Sequence, residues 1–248
     1  MRVVFSFDDG RIDAYNAYQI LTKHGLKGSF HVTTGFIDGT FSTDAFGVNR
    51  LPLTKENLVE MHANGMDISS HGDKHCMDEK DFKLSVGKLR EFGINSKKFG
   101  FSVPNSDFKE DELSSFIDAN KNDLSYIRIG RHKDCYTFFR KVCYILYHLS
   151  HLQFFYNKFN KPNLIENLDI YRVNSLVVLS DCKATSLINF VKKYSNENVT
   201  LVLMFHSIVE EPKNKWEYSI DDFEEICKYI SHNCESITLK ELSEYAPK

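Results

Sequence analysis

Apolar positions along the chain fall into two alternating rhythms, short near-continuous runs and longer stretches at helical spacing. Val3 to Phe7 is the first run, too short for a helix and apolar on both faces, and predicts a buried strand. Ala14, Ala17, Tyr18 and Leu21 then recur at helical spacing up to Gly25, which is placed to end that helix. Further strands are predicted at Ser29 to Thr33, Met66 to Ser70, Phe99 to Val103, Leu124 to Ile129, Ile170 to Val173 and Leu201 to His206. Helices are predicted between them. Thr54 caps one that carries Leu58 and Met61 and closes at Gly65, and residues 79 to 92 form a charged one. Leu113, Phe116 and Ile117 mark a third; Leu187, Ile188 and Val191 mark another. Ser219 and Asp222 form a capping box before Phe223, Ile226, Cys227 and Ile230. Residues 34 to 53 read as loop, and a short strand near Ile237 and a terminal helix end the chain. From 132 to about 160 the rhythm breaks into a helical, aromatic-rich insert.

Strands alternating with helices require parallel pairing and helical crossovers. About seven strands in one domain of this length predict an α/β fold, a (β/α) barrel rather than an open sheet.

Composition narrows the partners. With 42% hydrophobic and 26% charged residues the chain is an ordinary globular protein, and a formal charge of −3 gives no general affinity for nucleic acid. No segment is apolar enough to span a bilayer. The first strand begins directly after Met1, and the six cysteines form no C-x-x-C pair; both lead to the expectation of a cytoplasmic protein with reduced thiols.

The polar residues that interrupt apolar runs carry the chemistry. The first strand ends in Asp8-Asp9-Gly10, the third in His71-Gly72-Asp73-Lys74-His75, and the late apolar strand in His206. Carboxyl ends of parallel strands are where such folds build active sites. His71 and His75, four apart, can present two imidazoles to one ion from a helical or turn-like face, with Asp9 as third ligand. Two histidines and a carboxylate leave a coordination position open for water and favour zinc, or cobalt, nickel or manganese, over magnesium or calcium. The other histidines, His31 among them, read as structural or solvated.

Together these residues resemble the polysaccharide deacetylase family, the NodB-like carbohydrate esterase family four. Ser6 to Gly10 matches its T/S-F-D-D-G motif, Ser70 to His75 matches S-H-x-x-x-H, and Leu203 to Ser207 matches the late strand that closes with histidine. The resemblance implies a distorted barrel and hydrolysis of an N-acetyl or O-acetyl group on a sugar or glycan. It implies Asp8 as general base, Asp9, His71 and His75 as metal ligands, and His206 as general acid. A backbone N–H near Asn105 would support the oxyanion.

The chain departs from the family at two motifs. Where the family often has R-x-P-Y, with an arginine orienting the catalytic aspartate, this chain has Ser102-Val103-Pro104-Asn105. The family's Asp-Trp pair is missing too, since the only tryptophan is Trp216. Arg172, near the end of the strand after the insert, is the expected substitute tether for Asp8, because a guanidinium can hold a carboxylate at two points. The insert, with Arg131, Lys133, Arg140 and Lys141, suits peripheral contact with a membrane surface or serves as a helical cover over the barrel. Two alternatives to the deacetylase remain: a deformylase or deacetylase of a lipid-linked or nucleotide sugar at the inner membrane face, and an inactive carbohydrate-binding relative.

Overall fold

In the computed structural model, which describes residues 1–42, 50–130 and 138–245, the first predicted strand lies at the centre of the sheet. This strand, β1 (Arg2–Phe7), is followed by α1 (Ala14–Lys23), β2 (Gly28–Val32), α2 (Thr34–Ile37), α3 (Lys55–Ala63), β3 (Asp67–Ser70) and α4 (Glu79–Glu91). Then come β4 (Phe99–Ser102), α5 (Glu110–Asn120), β5 (Leu124–Ile129), α6 (Phe138–Ser150), α7 (Gln153–Phe159) and β6 (Asn163–Leu164). The chain continues through β7 (Val173–Asn174), β8 (Leu176–Val177), α8 (Ala184–Lys193), β9 (Val199–Phe205), β10 (Ser207–Val209) and β11 (Glu217–Ser219). It ends in α9 (Ile220–Asn233), β12 (Glu235–Ser236) and α10 (Leu239–Tyr245).

β1 to β5 pair in parallel in sequence order, and β9 pairs in parallel with the other edge of β1. The predicted barrel is nearly closed by one short stretch of chain. Its first half, β7, pairs with β5 through Arg128–Val173 and Ile129–Asn174, and its second half, β8, pairs with β9 through Leu176–Leu203 and Val177–Met204. Counting β7 and β8 as one stave gives seven parallel staves. The closing stave starts at Val173, later than the pattern predicts. Asp169 accepts the Tyr171 N–H, and the Arg172 N–H bonds to the Asp169 carbonyl, which folds Ile170 to Arg172 into a turn. Within residues 34 to 53, read as loop, the short α2 forms.

Alternation along β1 divides its side chains between two surroundings. Phe5 and Phe7 point outward, with Phe7 stacked on Phe30 at 4.6 Å and packed against Phe205, and with Phe223 of α9 edge-on to both. Each such buried ring contributes about 1.5–3 kcal/mol relative to exposure. Val4, Ser6 and Asp8 lie on the inward face, and Val4 joins Tyr126, Val173, Val202 and Leu239 in a separate inner cluster. Gly100 makes room there: a Cβ on it would come within 1.9 Å of the Tyr126 ring. The barrel interior is apolar at its floor and polar toward the carboxyl ends of its staves.

α6 and α7 cover one flank. Cys143 and Tyr147 of α6 and Tyr156 and Phe159 of α7 are buried, while Phe138, Ile145, Leu149 and Phe154 are exposed. Of the insert's basic residues, Arg131 and Lys133 lie outside the described residues.

Candidate active site

The Asp8-Asp9-Gly10 turn is fixed by backbone bonds from three neighbours. The Asp8 N–H donates to Phe205 O of β9, the Thr33 N–H to Asp9 O, and the Leu53 N–H to Gly10 O. Asp9 adopts a left-handed conformation, φ +75°, which is uncommon for a residue with a side chain and is held here by those bonds. The two carboxylates diverge, Asp8 into the barrel mouth and Asp9 toward the loop after β3.

That loop is a turn wrapped around a carboxylate rather than a helix. The Asp73 and Lys74 N–H groups donate to the two oxygens of Asp81 on α4, at 2.8 and 2.9 Å. Gly72, at φ +84°, is required there, because a Cβ would sit 2.4 Å from Asp81 Oδ2. The turn brings His71 and His75 together with their Nε2 atoms 3.1 Å apart. Asp9 Oδ1 lies 3.6 Å from the first and 3.7 Å from the second.

These separations fit a shared ion. Metal bonds of about 2.0–2.1 Å at tetrahedral angles hold ligand atoms roughly 3.3–3.4 Å apart. Two of the trio's other polar atoms are already engaged. His71 Nδ1 donates to Ser102 O at 2.8 Å, which leaves its Nε2 lone pair facing inward, and Arg11 holds Asp9 Oδ2 at 2.6 Å. Burial, with His71 alongside, pulls His75 down to about 4 despite the opposing pull of Asp9, so it is neutral and fit to ligate at pH 7. Among the described residues this trio is the group of His, Cys and carboxylate side chains placed to hold a metal.

Asp8 is held by an arginine, but not the expected one. Arg172 pairs with Asp169 at 2.7 Å and with Glu110 at 3.1 Å near the surface, at the turn that displaces its strand. It does not tether Asp8. Arg128 does, from β5: its Nη2 lies 2.6 and 2.5 Å from the two Asp8 oxygens and also donates to Ser102 Oγ. Its Nη1 donates to Ser175 Oγ at 3.0 Å, and the side chain is 1% exposed. Burial pushes the Asp8 carboxyl up, but the Arg128 guanidinium, with His71, His31 and His206 nearby, holds it well below the usual carboxylate range. Behind Asp8, His31 Nδ1 lies 3.6 Å from Oδ1, and its Nε2 is 3.0 Å from Tyr126 Oη, which donates to Asp67 at 2.6 Å. Burial lowers His31 to about 3, so it is neutral.

The carboxylates and imidazoles open into a cleft of about 400 Å³. His206 lines it, with its ring 4.7 Å from that of Trp216. Burial lowers the His206 pKa, and Asp9 and Asp8 oppose that shift. Trp216 therefore belongs to the cleft although the family's Asp-Trp motif is missing, and Lys215 Nζ lies 4.7 Å from its ring centre. Asn105 also lines the cleft, in a left-handed conformation, φ +54°, at the turn after β4. Asp8, Asp9, His71, His75, His206 and Asn105 thus share one cleft. Arg128, Arg11 and Trp216 are functional candidates that the sequence reading missed.

The sequence model of the family described as polysaccharide deacetylase matches residues 1–96. A search of curated protein sequences gives no match. Among solved structures, the chain is similar to a family 4 acetyl xylan esterase from Clostridium thermocellum bound to cobalt, at 15% identity and TM-score 0.56, covering 100% of this chain and 93% of that one. It is similar to the peptidoglycan deacetylase PdaC from Bacillus subtilis at 12% identity and TM-score 0.52, covering 98% and 90%. A variant of a carbohydrate esterase family four pseudoenzyme with restored activity matches at 11% identity and TM-score 0.53, covering 100% and 69%. At these identities the likeness carries the fold. Together with the match over residues 1–96, it makes the chain similar to the polysaccharide deacetylases of carbohydrate esterase family four.

Proposed function

We propose that the protein is a metal-dependent hydrolase that removes acetyl groups from a sugar or glycan. What supports this above all is the Asp9, His71 and His75 trio, spaced for one ion, beside an ionised Asp8 that a buried arginine holds in place. The donor set fits zinc or a neighbouring first-row ion, and one such relative is bound to cobalt. When bound, such an ion supplies Lewis-acid polarisation of the acyl carbonyl and lowers the pKa of water.

The chain's own residues divide the proton work. Asp8, kept anionic by Arg128, accepts the proton of the attacking water. Its low basicity is the cost of the tether; the gain is a fixed carboxylate orientation toward the cleft. His206, which lines the same cleft, delivers a proton to the departing amine nitrogen, which leaves poorly as an anion. The turn at Asn105 stands where a backbone N–H could meet the developing oxyanion. Trp216 gives the cleft an apolar face on which a sugar ring can lie.

Fold alone does not carry activity, since one matched structure is a pseudoenzyme variant. Retention of both Asp8 and His206 favours the active reading over an inert carbohydrate-binding one. Acetate release from N-acetylglucosamine oligosaccharides, and from an acetylated xylan, should be abolished by chelator and restored by zinc or cobalt. His71→Ala should lose bound metal and activity together. Release that persists in that metal-free variant would sink the proposal.

A further inference from the structure

The hairpin of α6 and α7 is apolar on both of its faces. Cys143, Tyr147, Tyr156 and Phe159 face the protein and are buried. On the opposite side of α6, Phe138, Val142, Ile145 and Leu149 recur at the spacing that keeps side chains on one helical face. Phe138 is 83% exposed and Leu149 78%, and Leu152 and Phe154 beyond them are more than half exposed. A surface helix ordinarily presents polar residues there. The charges are equally one-sided: from Phe138 to Ile165 there is no Asp or Glu, in a chain whose formal charge is −3. Lys141, Lys158 and Lys161 of this stretch are exposed, and Lys158 Nζ lies 5.3 Å from the Phe154 ring centre.

We propose that the α6–α7 hairpin is a docking surface for an anionic lipid bilayer. Its large side chains would enter the boundary between headgroups and acyl chains, while the lysines meet lipid phosphates. Apolar bulk flanked by exposed lysines is the composition such a surface selects; the acid that meets the hairpin, Asp181 from outside it, is paired with His148 of α6. A second copy of the chain fits less well, because a two-fold contact through this face sets the same cations against each other with no acid in the hairpin to pair them. No helix among the described residues is long and apolar enough to cross a membrane, so the contact is peripheral. α6 also supplies Tyr144 to the wall of the cleft, which brings the bilayer close to the cleft. The docking surface goes beyond the deacetylase reading and does not depend on it.

The test is flotation of the full chain with vesicles of phosphatidylcholine alone or mixed with phosphatidylglycerol. Wild type should float with the mixed vesicles, and less so as salt rises. Ile145→Glu with Leu149→Glu, both at exposed positions, should lower binding by at least about tenfold with an unchanged melting temperature. Lys141→Gln and Lys158→Gln should each cost about fivefold, and they keep the test available if the glutamate variant misfolds. His71→Ala should float like wild type, which separates docking from catalysis. Three results would overturn the proposal: no flotation by wild type, equal flotation with both vesicle types, or a dimer in solution that the glutamate variant splits.

Discussion

Arg128→Met removes the guanidinium that meets Asp8 and leaves a carboxylate buried at 4% exposure. Breaking a buried pair by deleting one partner costs about 3–5 kcal/mol, because the survivor's charge is no longer compensated. The sign of the pH dependence should change as well. In wild type the Asp8 pKa is depressed, so its contribution is present above the unfolded value and is lost as pH falls below about 4. Without Arg128, burial is the largest remaining influence and raises that pKa, so the variant should gain stability as pH falls from 8 toward 5. Urea unfolding in chelator at pH 8, 7 and 5 reads both effects. Asp8→Asn supplies the control: with no charge to strand, Arg128→Met should cost far less in that background, with a coupling on the order of 2–3 kcal/mol. Additive losses in the double variant, or a pH slope like that of wild type, would refute the tether. Arg128→Lys should recover part of the stability but not kcat, since an ammonium cannot hold the carboxylate's orientation.

Asp8→Asn should keep bound metal, by elemental analysis, while kcat falls by about 10²–10⁴-fold. His206→Ala should cost more on an acetamido sugar than on an activated acetate ester, whose leaving group needs no proton; equal losses would remove its acid role. Arg172→Ala should leave kcat/KM unchanged and cost no more than about 1 kcal/mol, because its partners lie near the surface. Tyr126→Phe deprives the buried Asp67 of its 2.6 Å donor and should cost about 1–3 kcal/mol in unfolding measurements.

The clustering of Asp8, Asp9, His71 and His75 was legible because these residues interrupt apolar runs at the carboxyl ends of predicted strands, where a barrel gathers them. Backbone periodicity placed β1, β3 and β9, and the chemistry followed. The closing stave was harder. Its two halves are only two residues each, and the Asp169 turn that sets its start is a side-chain effect with no periodic signature. Arg11 directly follows the Asp-Asp-Gly turn and looks like any polar turn residue until Asp9 is seen to accept from it. Arg128 had a signal that went unused. In Leu124 to Ile129, Tyr126 and Arg128 share one face while Ile127 and Ile129 share the other. A barrel stave has no solvent face, so a charged residue in its middle needs a buried partner. Asp8 was the carboxylate available. The outward face of α6 could not be assigned either, because large apolar residues stand both at its buried positions, Cys143 and Tyr147, and at its exposed ones, Ile145 and Leu149.

Arg128 also shows how a missing motif residue is replaced in a barrel. Ser102 and Arg128 are cross-strand neighbours on β4 and β5, and alternation points both toward Asp8. The cation can therefore start from either stave and reach the same carboxylate, provided that the other stave carries a residue small enough to leave room. Serine meets that condition and adds a hydroxyl that accepts from the guanidinium. Charge compensation at Asp8 fixes where the guanidinium must end, whereas the strand it starts from is free to vary. Sequence motifs record the starting strand. For that reason the lost arginine in Ser102-Val103-Pro104-Asn105 was conspicuous in the sequence, while its replacement became visible only once the register between β4 and β5 was known.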